Sequence, residues 1–191
     1  MSSPRLNKGL VILDRDGVIN RNSDAFIKSA AEWVPLPGSI EAIASLSKAG
    51  YTVAIASNQS GLARGLFTRN ALTAMHRKLR RLVAREGGSV ALIVVCPHGP
   101  GEGCDCRKPK PGLLTRLAKH FGVATQGVPV IGDSLRDLEA AVAVGATPIL
   151  VRTGRGRSTE SQLSGALANI AVFDDLAAAA AGLLLKNGAP C

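Results

Sequence analysis

The sequence is poor in aromatic residues and has no long apolar run. Aromatic side chains make up 3% of its 191 residues, so it lacks the stacking platforms with which proteins bind single-stranded nucleic acids. The longest apolar stretch, residues 176–185, is far shorter than the roughly 20 residues of a membrane-spanning helix. Residues 1–9 are polar and lack the apolar segment of a signal peptide. We therefore expect a cytoplasmic protein with neither membrane nor nucleic-acid partners.

Acidic residues are fewer than basic ones. The sequence has 14 Asp and Glu against 23 Lys and Arg, with a net charge of +9. This balance favours an anionic partner, but it does not distinguish nucleic acid, an acidic membrane or a phosphorylated small molecule. Part of the basic charge lies on one side of a predicted helix at residues 68–85, where a solvated face is the ordinary explanation. Length and composition predict one globular domain over residues 1–191, which we expect to be a monomer.

Apolar runs and amphipathic segments alternate along the sequence. We predict helices at residues 39–49, 68–85, 113–121, 135–144 and 175–185. We predict strands at Leu10–Leu13 and at residues 51–56, 90–95, 128–131 and 148–151, with an edge strand at 170–173. This alternation is typical of an α/β fold with a doubly wound parallel sheet. The long connection of residues 20–37 is expected to cover the site or to contact substrate.

Two aspartates, Asp14 and Asp16, follow directly after the first apolar run and precede Gly17. In open α/β sheets, ligands bind at the carboxyl ends of the strands. Neighbouring carboxylates repel each other unless a cation joins them, and Mg²⁺ is bound in this way together with phosphate oxygens of a substrate. A carboxylate aimed at phosphorus can also act as a nucleophile. The alternative interpretation is a solvated Asp-Gly turn.

Three further strand ends carry polar groups suited to a phosphate. The hydroxyl and turn amides of residues 57–61 can bind an anion, Lys108 can neutralise one, and Asp133 can complete a metal site with Asp14. Each has an ordinary alternative, namely a polar turn, a solvated lysine and a helix N-cap. The four features together favour a phosphate-binding site.

Three of the four cysteines and one histidine lie in the loop after the third strand, at Cys96, His98, Cys104 and Cys106. Three thiolates and an imidazole can form a closed tetrahedral zinc site. Because a closed site has no open position for substrate, we interpret it as structural, fixing the loop that carries Arg107 and Lys108. The alternative is reduced, metal-free cysteines. Cys191 is assigned no role.

Four segments, in chain order, resemble the motifs of the haloacid dehalogenase (HAD) superfamily of phosphohydrolases: Asp14-Arg15-Asp16-Gly17, Ser57-Asn58, Lys108 and Gly132-Asp133. The cysteine segment resembles the histidinol-phosphatase-like subfamily, which includes heptose bisphosphate phosphatases and histidinol-phosphate phosphatases. Residues 57–65 resemble the heptose bisphosphate phosphatases of this subfamily, because histidinol-phosphate phosphatases usually carry Asp at the position of Ser60 and lack Ala63-Arg64-Gly65. The resemblance implies a Rossmann-like HAD fold without a large cap domain. It implies removal of the 7-phosphate of D-glycero-D-manno-heptose 1,7-bisphosphate, a step towards ADP-heptose and lipopolysaccharide. The alternatives are a histidinol-phosphate phosphatase and a non-catalytic, zinc-containing nucleic-acid-binding module.

The resemblance also implies roles for individual residues. Asp14 would attack phosphorus and form an aspartyl-phosphate, while Asp16 would protonate the leaving oxygen and then activate water. Ser57 and Lys108 would stabilise the phosphoryl group. Magnesium would be held by Asp14, the main-chain carbonyl of Asp16, and Asp133. Asp137 would order a metal-bound water, or would be a surface helix residue.

Contacts to the rest of the substrate are expected from polar loop residues. These are Asn22, Ser23, Asp24, Ala25, Ser57, Asn58, Gln59, Ser60, Arg107, Lys108 and Ser134, with Arg64, Arg155 and Arg157 as further candidates. Many members of the superfamily carry Lys at the position of Ser134. One phosphate-facing charge is therefore missing here, and Ser134 offers only a hydroxyl.

Overall fold

The sheet is parallel throughout. The computed structural model describes residues 9–186, so Cys191 and residues 1–8 lie outside the described residues. Six strands pair in the order β3-β2-β1-β4-β5-β6. They are β1 (Leu10–Leu13), β2 (Thr52–Asn58), β3 (Leu92–Cys96), β4 (Pro129–Gly132), β5 (Thr147–Val151) and β6 (Ala171–Phe173). The predicted doubly wound α/β fold is confirmed.

Helices cover both faces of this sheet. They are α1 (Ser39–Lys48), α2 (Arg69–Arg85), α3 (Gly112–Phe121), α4 (Leu135–Val142), α5 (Gly156–Glu160) and α6 (Leu176–Lys186). Side chains alternate along β1, so Val11 and Leu13 pack in the core under α1, α2 and α6. Leu10 and Ile12 face the second core, under α3 and α4. Every residue of β1 is buried on one side or the other, which is why its sequence is continuously apolar.

The order of the strands reverses at β1. This strand pairs with β2 on one side and with β4 on the other. Leu13 is in register with Ile131, so Asp14 and Asp133 both emerge at the same edge of the sheet. A reversal of this kind opens a crevice beyond the carboxyl ends of the strands, where ligands bind in such folds.

Two long segments lie outside regular structure among residues 9–186: residues 14–38 and 97–111. Neither contains an element that could form a cap domain. The first is closed at its base, because Arg21 N–H donates to Val34 O at 3.0 Å and Leu36 N–H to Ile19 O at 2.9 Å. The second contains His98, Cys104 and Cys106, whereas Cys96, expected in this loop, is the last residue of β3. Within the described residues, no helix has both the length and the apolarity needed to cross a bilayer.

The sequence prediction missed α5 and misjudged several helix and strand ends by one or two residues. Helix α5 has five residues and no apolar repeat, so it carries no periodic signal. The predicted start of the second helix at residue 68 is its cap: the Thr68 side chain accepts a hydrogen bond from Ala71 N–H. The alternative role of Asp133 as a helix N-cap is wrong, because Ser134 occupies that position on α4.

Candidate active site

Three carboxylates meet at the strand reversal. Asp14, Asp133 and Asp137 each offer an oxygen within 4.8 Å of the others. Asp133 can reach this position because Gly17 and Gly154 lack side chains: a Cβ on either would lie 2.0–2.1 Å from Asp133 Oδ2. The Arg155 main-chain N–H donates to the same oxygen at 2.8 Å. The turn after β1 and the segment after β5 therefore hold Asp133 in place.

Lys108 lies among these carboxylates. Its Nζ is 2.7 Å from Asp14 Oδ1 and 2.5 Å from Asp137 Oδ1, and it donates to Ala56 O at 2.7 Å. The residue is 3% exposed, so the solvated-lysine alternative is wrong. Although burial lowers the pKa of Lys108, Asp137 and Asp14 raise it above its ordinary value. Lys108 is therefore a fixed positive charge.

Asp137 has a role that sequence reasoning did not define. Its alternative as a surface helix residue is wrong, because it is buried at 3% exposure. It forms a capping box with Ser134, whose hydroxyl donates to Asp137 Oδ2 at 2.6 Å. One carboxylate thus fixes both the start of α4 and the Lys108 ammonium.

The charges of this cluster fit a divalent cation. Three carboxylates face one ammonium, which leaves two negative charges uncompensated. Burial raises the pKa of Asp14 to about 8, with Lys108 opposing and the neighbouring carboxylates adding to the rise. Burial and Asp137 raise the pKa of Asp133 to about 6. A buried, oxygen-only set with excess negative charge is the donor set that Mg²⁺ prefers.

The Asp16 side chain lies outside that carboxylate cluster. Its carboxylate accepts from Arg15, Asn20 Nδ2 at 2.8 Å and Gln59 Nε2 at 2.8 Å. Burial raises the pKa of Asp16, but the Arg15 guanidinium outweighs this and holds that pKa below its usual range. Asp16 is consequently a carboxylate in this arrangement.

The end of β2 supplies polar groups to the same site. Ser57 Oγ accepts from Gln59 Nε2 at 2.8 Å, so Gln59 joins Ser57 to Asp16. Asn58 pairs with the main chain of Lys108 in both directions. The side-chain amides of Gln59 and Asn58, expected to contact substrate, are thus engaged with neighbouring residues. Ser60 is buried and lines the cavity.

A cavity of about 290 Å³ opens above these groups. All the substrate-contact residues predicted above line it except Ala25, and Arg64 and Arg155 also line it, whereas Arg157 does not. Residues 22–27 form one wall, and Asp24 Oδ1 reaches Arg155 Nη2 at 3.1 Å. Sequence reasoning gave no role to six lining residues: Arg15, Phe26, Ile27, Phe67, Pro100 and Arg136. Arg136 lies two positions after Ser134, and this closeness in sequence was the only indication that its side chain lines the cavity.

Three arginines of the cavity lining lie close enough to affect one another. They are Arg64, Arg107 and Arg136, and within residues 9–186 none of them forms an ion pair with a carboxylate. Burial lowers the pKa of Arg107, and the charges of Arg136 and Arg64 lower it further. Arg64 also lies over the ring of Phe26, with Cζ 5.5 Å from the centroid. These arginines form an anion-attracting surface beside the carboxylate cluster.

The cysteine and histidine side chains of the cysteine segment converge on one point. Cys96 Sγ lies 3.7 Å from Cys104 Sγ and 3.2 Å from Cys106 Sγ, while His98 Nδ1 lies 3.3 Å from Cys106 Sγ. A tetrahedron with bonds of about 2.3 Å to sulfur has edges of roughly 3.8 Å. The donors lie somewhat closer together than this, so a small outward shift of the side chains would accommodate a zinc ion. Burial raises the pKa of Cys96 to about 12, so this thiol needs a cation to ionise near neutral pH. Burial also acts to raise the pKa of Cys104, but hydrogen bonds from the main chain of Arg107 and from neighbouring thiols outweigh it and lower that pKa to about 7. Arg107 Nη1 donates to His98 O at 3.2 Å, joining this cluster to the cavity.

Comparisons with known proteins agree with this geometry. A HAD-hydrolase-like family model matches residues 105–179, and a polynucleotide kinase 3 phosphatase model matches residues 10–134. The D-glycero-β-D-manno-heptose-1,7-bisphosphate 7-phosphatases of Pseudomonas putida and Pseudomonas aeruginosa are 59% and 56% identical. The aligned regions cover 92% and 94% of this chain and 99% of each relative.

A solved structure of D,D-heptose 1,7-bisphosphate phosphatase from Bordetella bronchiseptica, complexed with magnesium and phosphate, superposes with a TM-score of 0.89. It is 54% identical, and the match covers 93% of this chain and 98% of that one. Fold and site thus define a magnesium-dependent phosphatase of the HAD superfamily. Within that superfamily, the chain belongs to the family of the D-glycero-β-D-manno-heptose-1,7-bisphosphate 7-phosphatases.

Proposed function

We propose that this enzyme removes the 7-phosphate of D-glycero-β-D-manno-heptose 1,7-bisphosphate and releases heptose 1-phosphate. The observation that carries the proposal is the meeting of Asp14, Lys108 and Asp133 in one cavity. Its lining also includes a separate group of unpaired arginines. The high identity to relatives named for this substrate, over nearly their whole length, supports the same substrate here.

Asp14 is our candidate nucleophile. Lys108 holds its Oδ1, and the side chain keeps 11% of its surface exposed where it lines the cavity. Attack of the carboxylate on phosphorus forms an aspartyl-phosphate while the bond to the sugar oxygen breaks. Lys108 neutralises charge on the transferred group, and the Ser57 hydroxyl is our candidate for a further hydrogen bond to it.

Asp16 is our candidate for proton transfer in both halves of the reaction. It would first protonate the departing sugar oxygen and then take a proton from the water that hydrolyses the aspartyl-phosphate. Asp16 starts as a carboxylate, so it must gain a proton when substrate binds. A phosphate dianion in the cavity favours this gain, because like charge raises the pKa of a carboxyl group.

Asp14, Asp133 and the main-chain carbonyl of Asp16 are proposed to hold the magnesium ion, with Asp137 close by. When bound, Mg²⁺ compensates the phosphate charge and draws the phosphoryl group towards Asp14. Asp137 holds Lys108 at the other side of the cluster. Removal of Asp137 is thus expected to loosen Lys108 as well as the start of α4.

The unpaired arginines are proposed to bind the phosphate that is not transferred. Arg107 is partly buried, and Arg136 and Arg64 are exposed on the same cavity. Arg136 compensates for the missing lysine at Ser134, because it follows Ser134 on α4 and lines the same cavity. Asn22, Ser23 and Asp24, which also line the cavity, are candidates for contacts to the sugar hydroxyl groups.

The cysteine cluster is proposed to hold a structural zinc ion through Cys96, His98, Cys104 and Cys106. It contains no carboxylate or other oxygen donor, which suits zinc better than magnesium. Arg107 Nη1 donates a hydrogen bond to His98 O, so the cysteine cluster supports a residue that lines the cavity.

We also propose a single-domain, monomeric, cytoplasmic enzyme without nucleic-acid partners, acting in ADP-heptose and lipopolysaccharide synthesis.

A substrate comparison tests the proposed function. Phosphate release would be measured with both anomers of heptose 1,7-bisphosphate, histidinol phosphate and a 3′-phosphorylated oligonucleotide, with and without Mg²⁺. We expect the highest kcat/KM for the β-bisphosphate and dependence on Mg²⁺. A preference for histidinol phosphate would overturn the substrate assignment. Turnover of the oligonucleotide alone would favour the activity named by the second family model.

A further inference from the structure

Arg15 is a buried charge for which the proposed mechanism has no use. It stands between Asp14 and Asp16 in sequence and is 1% exposed. Burying a guanidinium is costly unless it is paired and hydrogen-bonded. The bonds of Arg15 are directed to two residues of the site: Nε and Nη2 contact Asp16, and Nη2 donates to Gln59 Oε1 at 3.1 Å. Its remaining Nη1 lies 4.0 Å from Met75 Sδ in the core.

The Asp16 carboxylate is surrounded by donors from three side chains. Its Oδ1 accepts from Arg15 Nε at 3.1 Å, Arg15 Nη2 at 2.9 Å and Asn20 Nδ2 at 2.8 Å. Its Oδ2 accepts from Arg15 Nη2 at 2.9 Å and Gln59 Nε2 at 2.8 Å. Both oxygens are therefore oriented from the core side, while 23% of the side chain stays exposed.

This arrangement suits one of the two tasks assigned to Asp16 better than the other. An acid must present an O–H to the leaving oxygen, and here both oxygens already accept hydrogen bonds. A base must present a fixed, ionised oxygen to a water molecule. Charge-assisted bonds from a guanidinium favour that state and fix its direction. The donors therefore favour water activation over protonation of the leaving group.

We propose that Arg15, together with Gln59, is a positioning residue that holds Asp16 for hydrolysis of the aspartyl-phosphate. This inference rests on the proposed function. In that step a water oxygen bonds to phosphorus, the bond from phosphorus to the Asp14 oxygen breaks, and the proton lost by water passes to Asp16. Asp14 is regenerated as a carboxylate, inorganic phosphate is released, and Asp16 then returns its proton to solvent. Neither Arg15 nor Gln59 contacts the reacting atoms in this account.

A substrate with a good leaving group separates the two half-reactions. p-Nitrophenyl phosphate releases nitrophenolate without needing a proton, so its first step is independent of Asp16 as an acid. Loss of the Asp16 donors should then slow only the second step. In Arg15→Met, we expect steady-state turnover to fall on the order of 10- to 100-fold. We also expect a nitrophenolate burst stoichiometric with enzyme, with aspartyl-phosphate trapped by acid quench.

Two further variants test whether the slower turnover of Arg15→Met comes only from a disturbed fold. Gln59→Leu removes one donor to Asp16 and keeps Arg15, and should give a smaller burst of the same kind. Met75→Leu conserves side-chain volume next to Arg15 and removes no donor to Asp16, so its kinetics should match the wild type. Circular dichroism would check the fold of each variant.

The outcomes are distinct. Slower turnover of Arg15→Met and Gln59→Leu without accumulation of aspartyl-phosphate would overturn the inference and leave the proposed function in place. Unchanged turnover in both variants would do the same. If the wild-type enzyme forms no aspartyl-phosphate in a rapid-quench experiment, the nucleophile assignment fails, and the inference fails with it.

Discussion

The side chain of Asn58 pairs with the main chain of Lys108 in both directions. Asn58 Nδ2 donates to Lys108 O at 3.0 Å, and Lys108 N–H donates to Asn58 Oδ1 at 3.1 Å. This pair fastens the loop that carries the lysine to the end of β2. The Lys108 ammonium can then reach Asp14 and Ala56 O from a segment that has no regular structure of its own.

Asn58→Ala should lower kcat about 10-fold by leaving Lys108 poorly placed, with little change in Mg²⁺ affinity. The matching test is a double-mutant cycle in which kcat is measured for Asn58→Ala, Lys108→Ala and the pair. If Asn58 acts through Lys108, its replacement has little further effect once Lys108 is absent. Additive losses would instead indicate that Asn58 contacts substrate directly.

The main features of this fold could be predicted because their causes are local. Continuous apolar runs predict buried parallel strands, and the carboxyl ends of such strands meet at one edge. The meeting of Asp14 and Asp133 follows from those two facts. The partners of Lys108 could not be predicted, because the lysine lies 94 residues from Asp14 along the chain. The loop that carries Lys108 has no hydrophobic periodicity, so the sequence does not show where the lysine side chain points.

Arg15 and Arg136 show a second limit of sequence reasoning. Arg15 stands in a strand-end motif whose neighbours carry the proposed chemistry, and only coordinates reveal that its guanidinium turns back onto Asp16. Arg136 lies in the first turn of α4, which begins with the capping box of Ser134 and Asp137. The sequence pattern predicts the helix, but it does not show that this side chain lines the cavity.

The metal-free protein should lose stability as the pH rises from about 4 to about 8. Burial raises the pKa of Asp14 to about 8 and that of Asp133 to about 6, from an ordinary value of 3.8. At these two groups the folded chain binds more protons than the unfolded chain in this window, so unfolding becomes easier with rising pH. Burial lowers the pKa of His76 to about 4, from an ordinary value of 6.5, which opposes part of this loss between those two values. Asp14→Asn should abolish turnover, preserve the fold and reduce this slope.

Thermal unfolding of the wild type and of Asp14→Asn would be measured at about pH 5 and about pH 8, in buffer to which neither Mg²⁺ nor chelator is added. The change in stability between the two pH values would then be compared between the two proteins. Added Mg²⁺ should stabilise the wild type most at the higher pH. An equal slope in both proteins would contradict the assignment of the raised pKa to Asp14. Normal turnover of Asp14→Asn would refute its role as nucleophile.

Cys104→Ser should release zinc and lower activity while leaving Mg²⁺ binding unchanged. The reason is the bond from Arg107 to His98 O, which connects the cysteine cluster to the cavity. Metal analysis would count zinc per chain, and calorimetry would measure Mg²⁺ affinity. Cys191→Ser is the matched control, since that cysteine is outside the proposed cluster. Purified wild type without zinc would contradict the structural-zinc proposal.

Arg136→Met should lower kcat/KM for the bisphosphate on the order of 10-fold, which is typical for loss of a hydrogen bond to a charged group. The same variant should act on heptose 7-phosphate nearly as the wild type does, because that substrate has no second phosphate. Arg81→Met on the exposed side of α2 serves as a control for the loss of one positive charge. An equal loss with both substrates would place Arg136 at the transferred phosphate instead.

Lys78 anchors the loop that forms one wall of the cavity. Its Nζ donates to Ala30 O and Trp33 O, each at 2.7 Å, and lies 5.8 Å from the Trp33 ring centroid. Lys78→Met should destabilise the protein by about 1–3 kcal/mol and raise KM more than it lowers kcat, because residues 22–27 lose their support.

Trp33 is the single tryptophan of the sequence and is buried, so its fluorescence reports on the same loop. Acrylamide should quench it more strongly in Lys78→Met than in the wild type, while Arg77→Met, an exposed neighbour on α2, should behave as the wild type does. If KM and quenching both stay unchanged in Lys78→Met, the loop holds its position through the burial of Trp33 alone. The two hydrogen bonds of Lys78 would then be dispensable for substrate binding.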